Sequence, residues 1–228
     1  ISIIFMSIKT RTLVFATFFG SSLVVGLLLA SLTTEHWIHA DAKRYNESFG
    51  RIKYGLFSGT KELNVGYGMR SNPVQVIALI REENNIMNFW LWLGAALGTG
   101  LALFSSAIGA IGSVLKAASA SKKPSIMIFL FVANVASALS QILAFVCWLV
   151  QFYVYLTHNV LVLEDQKLHW YSRGLASLGY SFYFVVASTI VVLINIIILI
   201  AAYKHENGER LRLEPPSDEK NSSAIMLY

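Results

Sequence analysis

The chain contains a single cysteine, Cys147, among 228 residues. No disulfide can close within the chain, and no cysteine-based metal site can be built. Charge is equally scarce: 14% of residues are charged, against about 25% in an average soluble domain. The net charge of +5 is spread along the chain. Nucleic-acid binding needs a concentrated basic face, and none appears. Catalytic signatures are missing too. There is no helical His-Glu-x-x-His pair for zinc, no Gly-x-Ser-x-Gly elbow and no glycine loop to cradle phosphate. Glu35, His36, His39 and Asp41, with His158, Glu164, Asp165 and His169, are the candidate reactive groups. They read as solvated residues near a membrane surface rather than as an enzyme's site, and the sequence implies no cofactor.

The scarcity of charge is concentrated in four long gaps. Between Arg11 and Glu35 lie 23 residues without Asp, Glu, Lys or Arg, between Glu83 and Lys116 lie 32, between Lys123 and Glu164 lie 40, and between Arg173 and Lys204 lie 30. A helix rising about 1.5 Å per residue needs roughly 20 apolar residues to cross the hydrocarbon core. A composition of 55% hydrophobic residues cannot be hidden in the core of one small soluble domain. The sequence therefore predicts an all-α membrane protein whose spans, 13–32, 89–115, 126–156 and 180–203, form a four-helix transmembrane bundle in the lipid bilayer. The third span is long enough to tilt or project.

Met6 can start the chain, and the basic segment 6–11 resembles the start of a signal peptide. The apolar run that follows is longer than the 7–15 residues of a cleaved signal. Its twelve Leu, Val and Phe residues favour a retained first helix. Trp37, Trp90, Trp92, Tyr153, Trp170, Tyr180 and Tyr203 fall at the span borders, where amphipathic rings prefer to sit. Lys9 and Arg11, then Lys116, Lys122 and Lys123, then Lys204, Arg210 and Arg212 flank the spans on one side, which the positive-inside rule assigns to the cytosol. Segments 1–12, 116–125 and 204–228 are thus expected in the cytosol, the last as a disordered tail with Pro215-Pro216. Residues 33–88 form a large outer loop, and residues 157–179 a small one. Asn46-Glu47-Ser48 in the first of these is a glycosylation acceptor pattern, which fits an outer position. Asn221-Ser222-Ser223 in the tail should stay unmodified.

Small residues recur at four-residue spacing. Gly94 and Gly98, then Ser105, Gly109 and Ser113, line span two, while Ser22, Gly26 and Ala30 line span one. Such stripes let helix backbones approach closely, either inside the chain's own bundle or against a partner or second copy. Asn134, Gln141, Gln151 and Asn195 are the amides within spans, suited to interhelical hydrogen bonds. No ionisable Asp, Glu, Lys or Arg lies inside a span, which argues against an ion-coupled carrier. The C-terminus, Met226-Leu227-Tyr228, has the alternating apolar character that a PDZ-type groove captures with the terminal carboxylate.

Several local patterns together resemble the clarins, a tetraspan family akin to the claudins and peripheral myelin proteins. They are Trp37-Ile38 after span one, Tyr54-Gly55-Leu56-Phe57-Ser58-Gly59, Gly66-Tyr67-Gly68-Met69-Arg70, Ser181-Phe182-Tyr183 and the Leu227-Tyr228 end. The layout is similar along nearly the whole chain, and the sharpest matches fall within 37–70. The family's loop cysteines are missing, since Val65 precedes Gly66 and no cysteine follows Trp37 in the loop. If the loop folds as a small β-sheet above the bundle, Trp37, Tyr54, Leu56 and Phe57 must hold it, and Gly55, Gly59, Gly66 and Gly68 would supply tight turns. The resemblance implies a non-enzymatic organiser at the plasma membrane of sensory or actin-rich cells. It would associate laterally with membrane proteins and recruit a cytosolic scaffold through its tail. A claudin-like adhesion or barrier component, or an accessory subunit of a channel, are the other readings.

Overall fold

A computed structural model describes residues 8–44, 48–64, 68–83, 85–119 and 124–213. Four helices carry the architecture: α1 (Ile8–Thr33), α3 (Phe89–Ser119), α4 (Pro124–Gln151) and α6 (Tyr180–Leu213). Each is long and apolar enough to cross a bilayer. They close into a ring in which α1 meets α3 and α6, and α4 meets α3 and α6; the α4–α6 seam is the loosest of the four. Proline opens α4, where its missing N–H costs nothing and its fixed φ suits a first turn. The last turn of that span widens into a π-helix, Phe152–Leu156.

Small polar side chains share the interior of the bundle with apolar ones. On α1 the buried positions are Thr10, Val14, Thr17, Ser21, Val24, Leu28 and Ser31, spaced alternately by four and three. Phe15, Phe19, Leu23 and Leu29 point outward instead. Hydrocarbon solvates Leu and Phe as well as a protein core does. Packing between spans therefore favours small side chains and shared hydrogen bonds. Across the helices the Thr17 and Ser113 hydroxyls meet at 2.9 Å, and those of Ser106 and Ser137 at 2.7 Å.

Between α1 and α3 the chain forms β1 (Ile38–Arg44), β2 (Phe49–Tyr54), β3 (Ser58–Asn64), β4 (Met69–Gln75) and the short helix α2 (Val76–Glu82). The strands form an antiparallel meander. After α4, helix α5 (Leu163–Lys167) leads into β5 (Trp170–Tyr171) and β6 (Ala176–Leu178), both of which pair with β1. Residues alternate strictly in β1 and β2, so that Ile38, Ala40 and Ala42 face inward beside Tyr54, Ile52 and Gly50. A single core cluster joins this inner face to the bundle through Trp37, Tyr54, Leu56, Trp92, Trp148 and Phe182. A smaller cluster around Val14, Met127, Leu130 and Leu199 fills the opposite end.

Three boundaries differ from the expected spans. Helix α1 begins at Ile8, α3 runs on to Ser119, and α6 continues to Leu213 instead of giving way to a disordered tail at 204. The physical reason is common to the last two: Lys, Glu, Arg and Ala are strong helix formers, and no proline falls within either helix.

Candidate functional site at the junction of sheet and bundle

The motif residues of the first loop converge where the sheet meets the helices. Trp37 is fully buried. Its indole N–H donates to the Ser31 carbonyl at 2.8 Å, and its ring lies edge-on to Trp148, 4.8 Å between centroids. Its backbone N–H donates to Tyr54, and its carbonyl accepts from Gly179. One residue thus ties the end of α1 to β2 and to the start of α6. The Tyr54 hydroxyl donates to the Val160 carbonyl at 2.9 Å. Burial, reinforced by the nearby Asp165 carboxylate, pushes the Tyr54 hydroxyl far above the ordinary tyrosine range. Leu56 is buried, and its carbonyl accepts from the Trp92 indole at 2.6 Å.

One expectation for this motif needs correction. Phe57 is 51% exposed, so it does not hold the sheet from within. It lies edge-on to Trp92, 6.4 Å away, beside Phe89 and Trp90, in an aromatic group at the head of α3. An amphipathic belt position accounts for that exposure. Gly55 stands in the tight turn between β2 and β3, its N–H donating to the Ser58 carbonyl at 2.8 Å. Both Gly55 and Gly59 also allow close approach. A Cβ on Gly55 would lie 2.6 Å from the Thr34 carbonyl oxygen, which is backbone and cannot step aside. Gly68 alone of the four is shown with positive φ, at 113°. Arg70 is exposed on β4. Gly66 lies outside the described residues, as do Asn46 and the tail ligand Met226, Leu227 and Tyr228.

The candidate reactive groups do not gather. Glu35 accepts from Thr60 at 2.5 Å, the His36 ring stacks on Tyr180 with Nδ1 2.9 Å from its hydroxyl, and His39 sits 3.5 Å from Asp41. Partial burial and the Lys53 ammonium lower the His36 pKa below its ordinary 6.5, with Glu35 pulling the other way. His158 and His169 are exposed, as is Glu164. Among the described residues no three His, Cys, Asp or Glu side chains are placed to hold a metal. Asp165 instead pairs with Lys61 at 2.6 Å, both side chains largely covered. This contact between the two loops has no local signature in the sequence.

The small-residue stripes divide. On α3, Gly94 faces Cys147, Gly98 faces the α4 backbone, and Gly109 faces Asn134 and Ser21. Ser105 is half-buried beside the fully engaged Ser106. These pack within the chain. On α1, Ser22 and Gly26 face outward, and Gly26 has open space beside it. The packing glycine of α1 is Gly20, against the Asn195 amide. Gln141 joins α4 to α6 by accepting from Ser188 and Thr189, and the Gln151 carbonyl oxygen accepts from the Asn88 backbone just ahead of α3. Asn134 turns back to its own helix, donating to the Leu130 carbonyl.

At the opposite end the helix extensions carry polar contacts that the sequence did not announce. The buried Lys116 ammonium lies 3.5 Å from the Glu206 carboxylate, and the Thr10 hydroxyl lies 3.1 Å from His205 Nδ1. Arg11 donates to the Ala117 carbonyl. No family model and no curated protein matches the chain. Its fold defines the class, a four-helix transmembrane bundle with a small antiparallel sheet seated on one end, compatible with an integral membrane protein.

Proposed function

We propose that this chain is a clarin-like, non-enzymatic tetraspan organiser of the plasma membrane, with its sheet outside the cell and both termini in the cytosol. The observation that carries the reading is the use made of the shared motif. Trp37, Tyr54, Gly55 and Leu56, the residues on which the clarin resemblance rests, clamp the sheet to the bundle through buried contacts. They act as structural fasteners rather than as a reactive centre, which suits a protein that presents surfaces. The outward Ser22–Gly26 stripe offers a flat helix face for lateral partners or a second copy, and Met226–Tyr228 would recruit a PDZ-type scaffold. The positive-inside bias of segments 1–12, 116–125 and 204–228 supports the orientation.

Co-precipitation from mild detergent tests this reading. Removing the last four residues should abolish scaffold recovery while leaving membrane insertion and lateral partners intact; equal recovery would refute the tail's role. Loss of a glycosylation shift on Asn46→Gln checks the orientation. A claudin-like adhesion role draws on the sheet's free edge, since nearly all of the edge strand Met69–Gln75 is exposed. Aggregation of cells expressing the chain on both opposed surfaces would favour that second reading.

A further inference from the structure

We infer that the groove between α4 and α6 binds a phospholipid with an anionic headgroup, taken from the leaflet at the end of the bundle opposite the sheet. The groove encloses about 350 Å³, within the roughly 300–1,000 Å³ of small-molecule sites. It arises because the α4–α6 seam is the loosest in the ring. Met127 and Leu199, both buried, form its floor, while Ile128, Phe131 and Ile200 are walls that stand partly outward. The opening therefore faces sideways, toward acyl chains rather than toward bulk water. A purely apolar cleft has no partners for water, whereas a hydrocarbon chain fills it without leaving any polar group unsatisfied.

The rim decides which lipid. Lys204 and Tyr203 close the groove at the helix-terminal end. A lysine there lays its methylene stem along apolar surface and lifts its ammonium to headgroup level. Among the described side chains at this end, Lys9, Arg11 and Lys204 are exposed, and the one acid, Glu206, is buried against Lys116. A zwitterionic headgroup gains little from these exposed charges, and an anionic one gains at every cation within a Debye length. The arrangement also occurs twice. A second groove of about 360 Å³ lies between α1 and α3 at the same end, walled by Phe15 and Val114 with Arg11 at its edge. It is the more open of the two, so the α4–α6 groove is the stronger site.

The test uses the full chain in nanodiscs containing equal phosphatidylserine and phosphatidylcholine with matched acyl chains. The lipid retained after release is counted by native mass spectrometry. The wild-type chain should retain phosphatidylserine in excess. Lys204→Gln should lower that excess about fivefold, the effect of one cation at an anionic surface. Lys9→Gln removes the same charge from an exposed position at the same end and should change the excess much less. Ile128→Trp, which fills the groove, should lower retention of both lipids. Equal retention of the two lipids by the wild type would overturn the proposal, and so would equal effects of Lys204→Gln and Lys9→Gln. Because both leaflets of the disc are alike, neither the cellular orientation nor a scaffold partner enters the result.

Discussion

Replacing Gly98 with alanine would place a methyl carbon 2.7 Å from the Ser140 carbonyl oxygen and 2.9 Å from the Ala144 backbone nitrogen. Both obstacles are main-chain atoms of α4, so the helices must move apart. Overpacking of this kind costs about 1–3 kcal/mol. Separation would also stretch the Ser106–Ser137 hydrogen bond and the one from Ser137 to the Ala102 carbonyl, each worth about 0.6 kcal/mol in a membrane bundle. Against this stands the higher helix propensity of alanine, about 1 kcal/mol. The net expectation is destabilisation by about 1–3 kcal/mol. Gly26→Ala is the matched control, for nothing lies within 4 Å of a Cβ there, and only the propensity term acts. That variant should be neutral or more stable by up to about 1 kcal/mol. Unfolding in mixed micelles with a rising fraction of sodium dodecyl sulfate, followed by tryptophan fluorescence, resolves a gap of this size. Gly98→Ala as stable as Gly26→Ala would show that α3 and α4 do not touch backbone to backbone.

Three further outcomes follow from the sheet-bearing end. Lys61→Met should destabilise the chain by about 3–5 kcal/mol, because it strands the covered Asp165 carboxylate, and the double variant Lys61→Met with Asp165→Leu should recover most of the loss. Thermal unfolding of both variants checks this. Tyr54→Phe leaves the buried Val160 carbonyl without its donor and should cost about 1–3 kcal/mol. Because the folded state raises the Tyr54 pKa above its ordinary 10.0, the unfolded chain loses that proton first as pH climbs. Stability should therefore fall above pH 10.0, and Tyr54→Phe should flatten that slope in an alkaline unfolding series. The lowered His36 pKa works in the opposite direction: below pH 6.5 the unfolded chain takes up the proton first, so acidification should weaken the fold. An imidazole resonance for His36 titrating at or above 6.5 by NMR would contradict that assignment.

The four helices were legible because crossing a bilayer imposes a length and a freedom from charge that few other structures require. Trp37, Tyr54 and Leu56 were legible as fasteners through their local pattern. The sequence could not show that Phe57, one position further on, turns outward. That depends on Trp92 and Phe89 arriving from another element. Lys61 and Asp165 stand 104 residues apart, and nothing in either neighbourhood marks the pair. Lys116 falls in the expected cytosolic loop and Glu206 in the expected disordered tail, yet the helices extend past the apolar runs and bury the two against one another.

The stripe on α1 exposes the deeper limit. Ser22 and Gly26 share the small-residue spacing of Gly94 and Gly98, but only the second pair faces a helix of this chain. In water the oily face of a helix reveals which side is inward. In lipid that clue vanishes, because Phe19 and Leu23 are solvated outside as well as Val24 and Leu28 are packed inside. What selects the inward face is the partner's need for hydrogen bonds. The Asn195 amide reaches α1 at Ser21, and Thr17 meets Ser113 two turns from the helix start. Polar groups too weak to show in a hydropathy profile thus match the rotation of α1, and that rotation turns Ser22 and Gly26 outward.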